Sequence, residues 1–246
     1  AVAAMRSLLP YALAFDGRKL WVANWSDSTL QTIDPVSRQV EAGSLRVGSR
    51  PVALLFDGTR LWTANQNDRA AHVSVIDVDA RQVLNSGQPI TVGLNPVALA
   101  YNPDSQQLWV SVQSEDAIRP VDPVTLRVGA QVKVGRLPYG LAYAQGRLWV
   151  ANNGNNAVQV VDPRLGDLSD TLAVGEAPRA LLVEPARQFC GITYQNAKTI
   201  QPLDLVSGRL GTRYPVGTEP RALAYDGTRL WIVNGGDGTV QSINLA

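Results

Sequence analysis

Leu20-Trp21-Val22-Ala23-Asn24 decides the fold, because the phrase returns as Leu61-Trp62-Thr63-Ala64-Asn65, Leu108-Trp109-Val110-Ser111, Leu148-Trp149-Val150-Ala151-Asn152 and Leu230-Trp231-Ile232-Val233-Asn234. A degenerate copy, Cys190-Gly191-Ile192-Thr193, occupies the remaining interval. Upstream of each phrase stands a proline: Pro10, Pro51, Pro96, Pro138, Pro178 and Pro220. The period is about forty residues, the length of four short strands in a propeller blade, so six copies predict six blades.

Each proline leads into a short apolar run, for example Ala12-Leu13-Ala14-Phe15 or Ala222-Leu223-Ala224-Tyr225, of strand length and too short for an ordinary helix. This run is read as the first strand, nearest the axis. Asp16-Gly17, Asp57-Gly58, Gln145-Gly146 and Asp226-Gly227 follow it, glycine supplying the positive φ of a tight hairpin turn. Copies three and five carry the longer connections Asn102-Pro103-Asp104-Ser105 and Glu184-Pro185-Ala186-Arg187. The Leu-Trp phrase then forms a second strand without polar alternation, as expected where neighbouring blades cover both faces. A third strand alternates, as in Val158-Gln159-Val160-Val161, and closes at Asp34-Pro35, Asp122-Pro123 and Asp162-Pro163, with Asp77, Asp204 and Asn244 in the equivalent places. Asp before Pro starts a turn, because its carboxylate accepts backbone N–H groups ahead of it while Pro fixes φ. The fourth strand is expected to end in Val-Gly, at Val47-Gly48, Val92-Gly93, Val134-Gly135, Val174-Gly175 and Val216-Gly217.

Six blades have only these five Val-Gly pairs, and the chain ends at Ala246 after the sixth third strand. Residues Ala4 to Leu9, with Arg6-Ser7 standing where Val-Gly would, precede Pro10 as a fourth strand does. Residues 1–9 are therefore predicted to complete blade six and close the ring, which removes free sheet edges. The expected fold is an all-β, six-bladed β-propeller with four antiparallel strands per blade, in one domain spanning residues 1–246.

Bulk properties exclude several classes of function. The 246 residues are 45% hydrophobic and carry a formal net charge of +1, with no run of Lys and Arg, so neither nucleic acid nor an anionic membrane is an expected partner. Cys190 is the single cysteine and His72 the single histidine, too few for an internal disulfide or a clustered zinc site. Asp77 with Asp79 and Glu115 with Asp116 lack the spacing of a calcium loop, so no metal and no cofactor is expected. No apolar run approaches the roughly 18 residues of a membrane span, so no direct membrane insertion is expected. The opening at Ala1 without an initiator Met or a leader pattern reads as a soluble piece of a longer protein.

The series Pro-x-Ala-Leu-Ala, Leu-Trp-Val-Ala-Asn, Asp-Pro and Val-Gly resembles the bacterial YVTN-type β-propeller repeat, a relative of the NHL group, over nearly the whole chain. Leu-Trp-Val-Ala-Asn stands in that family's Tyr-Val-Thr-Asn slot, and Gly238-Thr239-Val240 and Asn156-Ala157-Val158 continue the likeness. Blade five departs most, with Cys190-Gly191 for Leu-Trp and Tyr194 for Asn. The resemblance implies an extracytoplasmic or cell-surface binding domain, in some members the sensor portion of a membrane-anchored receptor kinase. The fold itself hosts many unrelated functions.

Residues that break the repeat are the candidates for function. Trp21, Trp62, Trp109, Trp149 and Trp231 share one repeat position and are read as core, and Phe15, Phe56, Tyr101, Tyr143 and Tyr225 share another. Trp25, Tyr11, Tyr139, Tyr194 and Tyr214 survive this subtraction. Loops joining the blades, and loops between second and third strands, are expected on one face around the channel mouth. Tyr11, Trp25, Arg50, Arg136, Tyr139, Arg179 and Arg221 are the candidate ligand-binding residues there, beside loop residues such as Asn67, Asp68, Arg69, Lys198 and Asp237. Exposed aromatics among arginines suit an unknown small polar ligand, a glycan, or a peptide or protein. The arginines, drawn from four blades, could converge on a carboxylate or phosphate, although Glu176 and Glu219 in the same loops are placed to neutralise two of them. On the opposite face Lys19, Arg60, Arg147 and Arg229 repeat and read as solvated turns, and Cys190 is expected to fill space left by the missing Trp. These features favour a non-catalytic binding domain with no catalytic residue. The alternatives are a small lyase or hydrolase using His72 at the channel mouth, and a structural spacer.

Overall fold

The computed structural model describes residues 3–4, 9–66, 71–86, 88–184 and 188–244. Six antiparallel sheets follow one another along the chain, and each opens at the expected proline. In blade one the strands are Pro10–Phe15, Leu20–Asn24, Thr29–Ile33 and Leu45–Arg46. Blade four, Pro138–Ala144, Arg147–Asn152, Ala157–Val161 and Leu168–Ala173, has the longest outer strand. Blade six is built from Pro220–Tyr225, Arg229–Asn234 and Thr239–Asn244, and its fourth strand comes from the start of the chain: Ala3 pairs with Val240 and Ala4 with Thr239. The first strands of blades one and six also pack together, so the ring closes as the repeat count predicted. Arg6-Ser7, Asn67-Asp68-Arg69 and the Pro185-Ala186-Arg187 connection lie outside the described residues.

Six hydrophobic clusters hold the ring together, each between two neighbouring blades. Trp21 packs against Leu61 and Ile76 of blade two, Trp62 against Leu108 and Val110 of blade three, and Trp109 against Leu148 and Val150 of blade four. Trp149 meets Cys190 and Ile192, and Trp231 meets Leu20, Val22 and Ile33 across the closure seam. One rule serves five of the six interfaces: the Trp of one blade packs on the residue at the Leu position of the next blade's phrase. Successive residues of a strand face opposite sides of a sheet, so adjacent Leu and Trp serve different interfaces. This explains the absence of polar alternation.

Blade five corrects one expectation. Cys190 is buried, but it occupies the Leu position and receives Trp149. It therefore cannot fill the missing Trp's space, which lies on the other face, at Gly191. Ile200, Leu223 and Phe189 are the side chains nearest that space. Burial pushes the Cys190 thiol up to about 12, so it stays protonated and acts as a small apolar side chain.

The fourth strands also end earlier than expected. Paired segments such as Leu45–Arg46 and Val132–Lys133 stop before Val-Gly, which lies in the connection to the next blade. Glycine is required there by a close approach. A Cβ on Gly135 would sit 2.7 Å from Asn152 of the next blade, and one on Gly48 would sit 2.6 Å from Asn65. In blades four and six the Asn ending the Leu-Trp phrase takes part in an inter-blade staple. Asn152 donates to Gln159 Oε1 at 2.8 Å, and the same oxygen accepts the Gly135 N–H at 2.8 Å. Asn234, Gln241 and Gly217 repeat the arrangement.

Candidate functional site

Every blade slips register by a residue just after its opening proline, as between Pro10 and Ala12 or Pro138 and Gly140. Such a bulge leaves the next residue out of the ladder and re-aims its side chain. Round the ring these residues are Tyr11, Val52, Val97, Tyr139, Arg179 and Arg221, and all of them line one mouth of the central channel. Below them come Ala or Gly, and then a ring of six leucines: Leu13, Leu54, Leu99, Leu141, Leu181 and Leu223. Five of these leucines also line a wider cavity of about 620 Å³ at the opposite end, so the ring forms the waist of the channel. In that wider cavity, burial and then a hydrogen bond to Asp104 push the Tyr143 phenol up to about 12.

The mouth itself has a cavity volume of about 80 Å³ and a polar side built by blades four, five, six and one. Arg179 is only 5% exposed, and its Nη2 donates to the Tyr11 hydroxyl at 2.6 Å. Its guanidinium carbon lies 5.3 Å from the Tyr11 ring centroid and 4.9 Å from that of Tyr139. Arg221 sits 4.7 Å from the Tyr11 ring and forms an ion pair with Glu219 at 2.5 Å. Blades two and three supply Val52 and Val97, so the remaining side is aliphatic. Gly140 stands where the other blades have Ala, and a Cβ there would lie 2.5 Å from the Arg179 carbonyl. That substitution lets the strand bearing Tyr139 close on the strand bearing Arg179.

Of the seven candidate residues, the fold brings Tyr11, Tyr139, Arg179 and Arg221 together and leaves three aside. Arg50 and Arg136 do not reach the mouth, which corrects the expected convergence of four arginines. Their positions explain this: both precede the proline and lie on exposed connecting loops, whereas Arg179 and Arg221 follow it and face the axis. Arg50 stacks on Trp25 at 5.1 Å, and Trp25 packs beside Tyr11 against the cluster between blades two and three. Glu219 pairs with Arg221 as expected, but Glu176 makes no ion pair with Arg179. Tyr194 is fully buried and donates to Gln201 at 3.0 Å, so it belongs to the core, and Tyr214 lies on the outer strand of blade five. Sequence reasoning missed Val52 and Val97 as part of the site, although the position after each proline could have shown them.

His72 opens the third strand of blade two and lines a separate cleft of about 220 Å³ with Arg46, Gly48, Ser74 and Asn85. No residue of this cleft is shared with the mouth, so His72 does not line the mouth. Elsewhere, Glu115 pairs with Arg119 at 2.8 Å, and this bond foremost holds its carboxyl below the usual value. Asp116 accepts the Leu137 N–H at 2.9 Å. Among the described residues no group of three or more His, Cys, Asp or Glu side chains is placed to hold a metal ion.

No protein-family model matches the chain. No curated protein matches it by sequence either. Solved structures do share its shape. Hydrazine synthase from Kuenenia stuttgartiensis superposes with a TM-score of 0.74 at 17% identity, covering 99% of this chain and 97% of that one. Virginiamycin B lyase from Staphylococcus aureus gives 0.72 at 13% identity, covering 100% and 99%. A streptogramin B lyase gives 0.69 at 14%, covering 97% and 84%. At such identities the likeness establishes the class, a six-bladed β-propeller whose neighbours include enzymes, and carries no activity across.

Proposed function

We propose that this protein is a non-catalytic, YVTN-type ligand-binding propeller whose site is the narrow mouth of its channel. The observation that carries the reading is the asymmetry of the ring. Repeated positions build the walls and the leucine waist, whereas the mouth position varies most, as Tyr, Val, Val, Tyr, Arg, Arg. Repetition accounts for the walls and does not account for one guanidinium stacked on two phenols and a second stacked on one of them. The mouth offers cationic donors, aromatic faces and aliphatic surface, a set suited to holding a small polar ligand or the end of a peptide. On the same reading the domain works outside the cytoplasm as the ligand-receiving part of a larger protein. Thermal shift of the isolated protein against an array of sugars, peptides and small acids tests it. A ligand that raises the Tm and loses its effect in Tyr139→Ala and Arg221→Ala supports the mouth; an array without any responder favours a spacer. The lyase or hydrolase alternative predicts an activity lost in His72→Ala, and finding one would replace this reading.

A further inference from the structure

We infer that the mouth recognises a monoanionic carboxylate carrying a short apolar group, seated on Arg179; this rests on the binding reading above and specifies its ligand. A cation that is 5% exposed is ordinarily matched by a carboxylate, because burying an unpaired charge is costly. Among the described residues Arg179 has no such match. Its partners are neutral: the Tyr11 hydroxyl at 2.6 Å and the faces of Tyr11 and Tyr139. Arg221, next to it, is already neutralised by Glu219. The mouth therefore holds one uncompensated positive charge, which fits a monoanion better than a phosphate dianion.

Geometry selects the chemistry further. Guanidinium and carboxylate are both planar, and a fork of N–H donors matches two carboxylate oxygens. The Tyr11 hydroxyl accepts from Arg179, which leaves its own proton to donate to the same anion. Opposite the cation lie Val52 and Val97, with the leucine ring beneath, so a few carbons beside the carboxylate meet aliphatic surface. The volume of about 80 Å³ admits a small acid, or the C-terminal carboxylate of a peptide whose remainder stays above the rim.

Calorimetric titration of the full chain with propionate, propionamide, inorganic phosphate, and an N-acetylated trialanine with free or amidated C-terminus tests this. Propionate or the free-acid peptide is expected to bind, and whichever binds more tightly identifies the source of the carboxylate. The matching amide should bind at least tenfold more weakly. Arg179→Met should abolish binding with Tm unchanged or raised, because the uncompensated charge is removed, and Tyr11→Phe should weaken it several-fold. Arg179→Lys, which keeps the charge, should retain measurable binding, unlike a residue needed only for packing. Equal binding of acid and amide, tighter binding of phosphate, or unchanged affinity in Arg179→Met overturns the inference. A neutral ligand that binds and is lost in Tyr139→Ala would overturn the carboxylate while leaving the mouth as the site; no responder of any class would remove both.

Discussion

At the residue scale, one aspartate does more than its sequence context implied. Asp57 caps its turn by accepting the N–H groups of Thr59 and Arg60 at 2.8 and 2.7 Å, and its second oxygen accepts the Trp62 indole N–H at 2.7 Å. Asp16 with Trp21 and Asp226 with Trp231 repeat the bond at the same distance. Each Asp-Gly turn is thereby tied to the interblade Trp that follows it. Blades three and four break the link: Asn102 and Ala144 take the Asp position, and the Trp109 and Trp149 indole nitrogens are buried without a partner among the described residues. Asp57→Ala is expected to cost about 1–3 kcal/mol, since it leaves a buried donor unsatisfied as well as removing the cap. Conversely, Asn102→Asp keeps the cap and gives Trp109 an acceptor, and is expected to gain about 1 kcal/mol at neutral pH. Urea denaturation measures both, and destabilisation by Asn102→Asp would show that the charge is too costly at that depth. The pH dependence has a definite sign. Burial draws the Asp226 carboxyl upward, but the Trp231 indole and the N–H groups of Arg229 and Thr228 outweigh it and hold the group below its ordinary 3.8. Backbone N–H groups do the same for Asp34, Asp122, Asp162 and Asp204, foremost those of Ser37, Thr125, Arg164 and Ser207 respectively. A depressed folded value means stability that is complete above the unfolded value and is lost as pH falls through the folded one. The Tm should accordingly hold near neutrality and drop below about pH 4, and Asp34→Asn should flatten part of that drop.

At the element scale, the connection between blades carries a repeated strain. Leu9, Arg50, Asn95, Leu137, Ala177 and Glu219 each precede an opening proline, and all have φ between 46° and 64°. Their carbonyls accept the N–H of the residue after the Leu-Trp phrase in the same blade, as Arg50 does from Gln66 and Leu137 from Asn153, at 3.0 Å. The hydrogen bond holds the backbone in a region that costs an L-residue about 1–2 kcal/mol. Ala177 has no polar side chain to compensate, so Ala177→Gly should stabilise by about 0.5–1 kcal/mol once glycine's greater entropy loss is subtracted. Chemical denaturation decides it; a loss of stability would show that the Ala177 methyl makes a contact worth more than the strain. These elements also mark the limits of sequence reading. Strand positions, the six blades and the Asp-Pro turns were legible because apolar runs and turn residues report local conformation directly. The positive φ before proline was not, because non-glycine residues occupy it and a tertiary hydrogen bond enforces it. The close approach behind Val-Gly stayed hidden for the same reason, since the crowding atoms belong to another blade.

At the scale of the molecule, the site was legible only in part. Subtracting the repeat isolated Tyr11, Tyr139, Arg179 and Arg221, but it could not separate them from Arg50 and Arg136, because a shift of two or three residues across a bulge decides which side chain faces the axis. What the sequence did carry to this scale is closure, and closure has a measurable consequence. Blade six takes its outer strand from Ala3–Ala4, and its Trp231 packs on Leu20, Val22 and Ile33 of blade one. The seam therefore has two components, a short backbone ladder and an apolar interface. The apolar part resembles the other interblade clusters and persists if the first nine residues are removed. The ladder does not: Thr239–Asn244 becomes an edge strand with unpaired N–H and C=O groups. Deleting residues 1–9 is thus expected to leave a folded ring that melts at clearly lower temperature and associates more readily at high concentration. Differential scanning calorimetry with light scattering measures both quantities. An unchanged transition would mean that the Trp231 interface alone holds the seam, whereas complete loss of the cooperative transition would mean that the ring cannot assemble before its ends are joined.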